Sequence, residues 1–321
     1  MSNLEDDPDE VVCAAARGGV VVMTPRDVPL GGPRAMTVRR TLQQRERSLI
    51  GAWCFLDHYG PDDVADSGGM SVPPHPHTGL QTVSWLFTGE IEHRDSAGHH
   101  AMVRPGELNL MTAGYGISHS EVSTAATSVL HGAQLWVALP AEARDDPPRF
   151  DHYAPAPVTG EGWEARVFLG SLLGDTSPVA TATPLLGAEL RLAAGTELHV
   201  DVDPDHEHGV LVDTGIVSLG DVETKQHELA YVPPGSQRLS LDAHVDSRVL
   251  LLGGPPFGEA IVMWWNFVGR SHDEVVGFRE EWMAQLADGR YADGRFGRPV
   301  GDELPPVPAP PLPNARLRER R

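Results

Sequence analysis

Two short donor pairs, His75-Pro76-His77 and His119-Ser120-Glu121, stand 44 residues apart (75 to 119) and constrain this chain more than any other feature. Residues i and i+2 of an extended strand point the same way, roughly 6.5 Å apart. Each pair therefore presents two donors on one face. Two such strands brought together close on a single ion with three imidazoles and one carboxylate, His75, His77, His119 and Glu121. A surface turn competes for the first pair, because Pro73, Pro74 and Pro76 crowd it. The residues between the pairs favour strands.

Those residues alternate. Counting from His77, one face carries Gly79, Gln81, Val83, Trp85 and Phe87, and the other carries Thr78, Leu80, Thr82, Ser84, Leu86 and Thr88, before Gly89-Glu90 turns the chain. This phase puts Gln81, Val83 and Trp85 on the donor face, with Gln81 bonding a neighbour of the ion and Val83 and Trp85 forming an apolar wall. Ile91–Asp95 reads as the next strand, and Pro105-Gly106-Glu107 as another turn. Gly114 and Gly116 then permit a tight bend that returns His119 and Glu121 beside the first pair. Short strands with regular turns predict a jelly-roll β-barrel.

The stretches His75-Pro76-His77-Thr78-Gly79, Glu92-His93-Arg94-Asp95-Ser96, Pro105-Gly106-Glu107, Met111 to Glu121 and Leu135 to Pro140 resemble, in order and spacing, the metal-binding barrel of the pirin family within the cupins. The likeness spans roughly residues 35 to 150. It implies a two-barrel protein with one ferrous ion per chain, held by the residues that correspond to His75, His77, His119 and Glu121. It also implies flavonol ring cleavage with dioxygen, of the quercetin 2,3-dioxygenase type, with Glu121 taking the flavonol 3-hydroxyl proton as well as binding metal. The alternative role in the family is that of an iron-bearing, redox-responsive partner of a transcription factor or metabolic enzyme, without turnover. One departure stands out: many members carry Glu four residues after the second His, where this chain has Gln81.

Length and composition agree with two barrels. The 321 residues, 40% of them hydrophobic, suffice for two cores, and 34 Gly with 28 Pro suit a turn-rich all-β chain. With 25 basic against 45 acidic residues the formal charge is −20, which repels phosphate backbones and anionic lipid and argues against nucleic-acid binding. Lys225 is the single lysine, so the basic residues are nearly all Arg, which hints at a GC-rich bacterial genome. No apolar run is long enough for a signal peptide or membrane span, and Cys13 and Cys54 are the two cysteines, so a cytoplasmic protein without a disulfide is expected, with Cys54 packed in a strand. Because a bare N/O site accepts Fe, Mn, Ni, Cu or Zn, the spacing alone does not choose the metal.

The expected organisation is a flexible acidic N-terminus (1–20), a metal-binding barrel (21–150), a degenerate second barrel with a terminal helix (151–300) and a mobile Pro-rich tail (301–321). A turn-rich linker covers about Asp145 to Gly162. The pair His206-Glu207-His208 is out of step with the first barrel: Gly89 follows His77 by 12 residues, whereas Gly215 follows His208 by 7. Arg248 falls where a ligand would be needed, so no second metal is expected on His206, His208, His199, His227 or His244. Ser271-His272-Asp273-Glu274 has the form of a capping box, followed by Val275, Phe278, Trp282 and Leu286 at helical spacing.

Overall fold

The computed structural model describes residues 19–29, 36–44, 47–289 and 294–320. Cys13 and almost all of the expected acidic N-terminus lie outside them. Two β-barrels follow one another. In the first, a seven-stranded sheet in the spatial order Arg149–Tyr153, Leu108–Thr112, Leu80–Thr88, Val129–Ala138, Trp53–Asp63, Thr37–Leu42, Arg26–Pro29 faces a four-stranded sheet ordered Ser71–His77, Ile117–Ser123, Ile91–Asp95, His100–Val103. The second repeats the scheme, with seven strands in a sheet centred on Glu207–Thr214 and Ser247–Gly254 and four in its partner.

Boundaries differ from the expected ones at two places. Val21–Met23 pairs with Leu229–Val232 in the second barrel, so the described residues begin there before entering the first barrel. The presumed linker contains Arg149–Tyr153, which extends the first barrel by pairing with Leu108–Thr112, and Val158–Gly160, which extends the second.

The barrels pack through their seven-stranded sheets. Val83, Trp85, Leu110 and Leu135 of the first lock against Phe168, Leu211, Leu250 and Leu252 of the second, all buried. A polar cluster lies in this apolar seam. Asp213, fully buried, receives His58 Nε2 at 2.7 Å and Arg248 Nε at 2.5 Å, while His131 Nε2 lies 2.6 Å from the same oxygen as His58. Burial pushes the Asp213 carboxyl up, but the bonds from His131 and His58 outweigh it and hold the group ionised well below the usual carboxylate range.

Beyond the second barrel the chain returns to the first. The hairpin Val262–Trp264 with Phe267–Gly269 touches Ser71–His77, and Thr78 bridges to Phe267. The helix His272–Ala287 follows, capped by Ser271, whose side chain accepts from Glu274 N as expected, while the Glu274 carboxylate reaches back to Arg270 N. Val275 and Trp282 are its buried apolar anchors, and Phe278 and Leu286 pack partly buried beside them. The Pro-rich segment expected to be a mobile tail is instead an extended strap. Val307 N donates to Pro74 O at 2.8 Å, Trp282 Nε1 donates to Val307 O at 2.9 Å, and Arg320 pairs with Ile261. Proline fixes φ and removes donors, so such a run lies extended at little entropic cost once apolar side chains give it a surface. Cys54 is a free, buried thiol whose proton affinity burial raises. No helix of the described residues is long and apolar enough to cross a membrane.

Candidate metal centre

Strands Ser71–His77 and Ile117–Ser123 run antiparallel with His75 opposite His119 and His77 opposite Ile117, and a bulge falls between His119 and Glu121. The rings of His75, His77 and His119 stand 4.4 to 5.0 Å apart, all three fully buried. Their donor nitrogens lie within 4.8 Å of one another.

Each nitrogen has an identifiable role. His75 Nδ1 donates to Pro73 O at 2.9 Å and His77 Nδ1 donates to Asn266 O at 3.0 Å, since a carbonyl only accepts. The Nε2 atoms are therefore the lone-pair ends. His75 Nε2 has no hydrogen-bond partner among the described residues, and His77 Nε2 faces His119 Nε2 at 3.1 Å. Burial pushes the proton affinity of all three well below the ordinary histidine value, and for His77 and His119 the neighbouring imidazoles come next. Three neutral imidazoles whose ring nitrogens converge on one point make a donor set that suits a divalent cation.

The Glu121 carboxylate groups with His119 and His93, and His119 also joins the group of His75 and His77, so His119 links the four predicted donors. Ser84 Oγ lies 3.1 Å from Glu121 Oε1 and 2.9 Å from the Gln134 amide oxygen, so this hydroxyl ties the carboxylate to the opposite sheet. His93 stands at i, i+2 from Asp95, the same spacing that marks the two donor pairs.

The expected pocket residues lie on the other side of their sheet. Gln81, Val83 and Trp85 face the second barrel, away from the histidines. Gln81 Nε2 bonds Thr112 Oγ1 at 2.9 Å, Trp85 Nε1 bonds Glu189 Oε2 at 2.8 Å, and the Trp85 ring lies 4.5 Å from Phe168. The cause is Gly79, at φ +66°, where an added Cβ would stand 2.4 Å from Val268 O. The chain turns there and starts a new strand in the other sheet, so alternation counted from His77 does not carry across. The inward phase of Leu80–Thr88 is that of Ser84. The aromatic group beside the histidines is Trp136, edge-on to His77 at 5.2 Å and stacked on Phe55 at 4.0 Å.

In the second barrel Arg248 is engaged with Asp213, and the His206 and His208 rings lie 6.2 Å apart, with both His208 nitrogens lacking a partner among the described residues.

Residues 35–137 match the family described as Pirin, and residues 187–286 match the Pirin C-terminal cupin domain. A Pseudomonas aeruginosa protein that carries a provisional quercetin 2,3-dioxygenase name is 44% identical over 91% of this chain and 90% of its own length. A pirin-like protein of Caulobacter vibrioides is 35% identical over 77% of this chain and 88% of its own. The crystal structure of a quercetin 2,3-dioxygenase from Acinetobacter baumannii superposes with a TM-score of 0.86 at 36% identity, covering 94% of this chain and 97% of that one.

Proposed function

This chain belongs to the pirin family, and from that premise we propose that it is a metal-dependent dioxygenase opening the heterocyclic ring of flavonols, with a ferrous ion on His75, His77, His119 and Glu121. The observation that carries this reading is the convergence of three buried, neutral Nε2 atoms beside a buried carboxylate. The relative and the solved structure named for quercetin 2,3-dioxygenase support the substrate class. A bound ferrous ion supplies Lewis acidity toward an enolate oxygen and redox chemistry with dioxygen. The protein's own part is positional and acid–base. Main-chain carbonyls orient His75 and His77, the Trp136 ring packs beside them as an apolar wall, and the Glu121 carboxylate accepts the 3-hydroxyl proton, with Ser84 fixing its Oε1.

The test is anaerobic loading with Fe2+, metal analysis, and then oxygen uptake and carbon monoxide release with a flavonol panel. Turnover above a free-iron control is expected, and Glu121→Gln should cost more in rate than in metal affinity, because an amide offers an oxygen but takes no proton. Fully loaded protein giving no carbon monoxide with any flavonol overturns the enzyme reading. The regulatory alternative is then tested by pull-down with the intact chain.

A further inference from the structure

His75 and His77 have their tautomers set by main-chain carbonyls, but His119 has no carbonyl at its Nδ1 among the described residues. Instead His119 Nδ1 faces His93 Nδ1 at 3.4 Å. The other ring nitrogen of His93, Nε2, lies 3.4 Å from Asp95 Oδ2. Asp95 is fully buried and anchored in turn by the His99 backbone N–H at 3.0 Å and His99 Nδ1 at 3.0 Å. All of this follows from one strand: in Ile91–Asp95, His93 stands opposite Glu121 and Asp95 opposite His119. Phe150, 4.9 Å from the His93 ring, packs on it.

We propose that His93, backed by Asp95, is a positioning residue that fixes the tautomer of His119 so that its Nε2 lone pair faces the point shared by His75 and His77. The inference rests on the metal reading above. With His93 neutral, hydrogen-bond polarity allows one direction only. A carboxylate accepts, so His93 carries its proton on Nε2; its Nδ1 is then an acceptor, and His119 must donate from Nδ1. His119 Nε2 is left bare, the same state that Pro73 O and Asn266 O impose on His75 and His77. At 3.4 Å both contacts are long, so their effect is orientation more than binding energy. The consequence is an asymmetric centre. The first donor pair is held by backbone atoms that no substitution removes, whereas the second is held by side chains, His93 for His119 and Ser84 for Glu121, and is the tunable half.

The test combines 15N-histidine NMR of the metal-free protein with Co2+ affinity and the visible spectrum of the Co2+ form. Wild type should show His119 protonated at Nδ1. His93→Phe, which keeps a planar ring but offers no acceptor, should lower Co2+ affinity by about 10- to 100-fold and shift the ligand-field bands. His93→Gln, whose amide oxygen accepts, should restore affinity to within a few-fold. An Nε2-protonated His119 in wild type overturns the proposal, as does wild-type affinity in His93→Phe, or a loss in His93→Gln equal to that in His93→Phe. If His93→Phe does not fold, the wild-type tautomer and His93→Gln still decide. Full Co2+ retention by His75→Ala would instead defeat the metal reading, and the tautomer measurement stands apart from it.

Discussion

His77 Nδ1 donates to the backbone carbonyl of Asn266 at 3.0 Å, across 189 residues of sequence. The chain beyond the second barrel thus sets one donor of the first, and Asn266 is held there by the hairpin, the helix and the strap that follow.

Truncation after Gly301 should consequently weaken more than the C-terminus. It removes the Val307–Pro74, Trp282–Val307 and Arg279–Pro310 hydrogen bonds and bares part of the helix core. With each bond worth roughly 1 kcal/mol and some apolar burial lost besides, a destabilisation of about 2 to 4 kcal/mol is expected. Urea unfolding of the intact and shortened chains measures it, and equal midpoints would show that the strap contributes nothing.

Replacing His75 or His119 by Ala deletes a donor from a three-imidazole set, and bound metal should fall from one ion per chain to a small fraction. Elemental analysis after dialysis at pH 7 is the check. Full occupancy in both variants would mean that the ion sits elsewhere.

Gln81→Glu should leave the metal centre unchanged, because Gln81 bonds Thr112 on the seam side of its strand. The new carboxylate would be buried between the barrels, where Gln81 is 1% exposed. Stability should fall by about 1 to 3 kcal/mol while metal content and Co2+ spectrum stay as in wild type. A changed spectrum with unchanged stability would place Gln81 inside the barrel after all.

Asp213→Asn leaves Arg248 in the seam without its counter-charge, and a loss of about 3 to 5 kcal/mol is expected. Adding Arg248→Met should recover much of it, since removing both members of a buried pair costs less than removing one. A double-mutant cycle by denaturant unfolding reads the coupling, and additive losses would mean that the two side chains act independently.

His208 is buried in the second barrel with neither ring nitrogen bonded among the described residues, and burial lowers its pKa to about 4. Between about 4 and the ordinary 6.5, the unfolded chain binds a proton that the folded chain refuses, so its contribution is present above pH 6.5 and is lost as pH falls toward 4. The full loss is on the order of 3 kcal/mol. His208→Leu should raise Tm at pH 5 by more than at pH 7. An equal change at both pH values would show that His208 does not titrate during unfolding.

The sequence by itself determined what is local or repeated. Paired i, i+2 donors marked three histidines that do converge, turn residues bounded the strands, Ser271 capped its helix, and the ordered motifs from His75 to Pro140 identified the family. Tertiary structure decided whatever depends on a phase reset or a distant partner. Gly79 restarts the alternation in another sheet, which turned Gln81, Val83 and Trp85 outward, because a side-chain period of two holds only within one unbroken strand. The bulge between His119 and Glu121 left the carboxylate with Ser84 and His93, and the Pro-rich strap found its surface on a strand more than 200 residues earlier, between Val307 and Pro74. Such contacts are fixed by which faces the whole chain must bury, and a window of neighbouring residues carries no record of them.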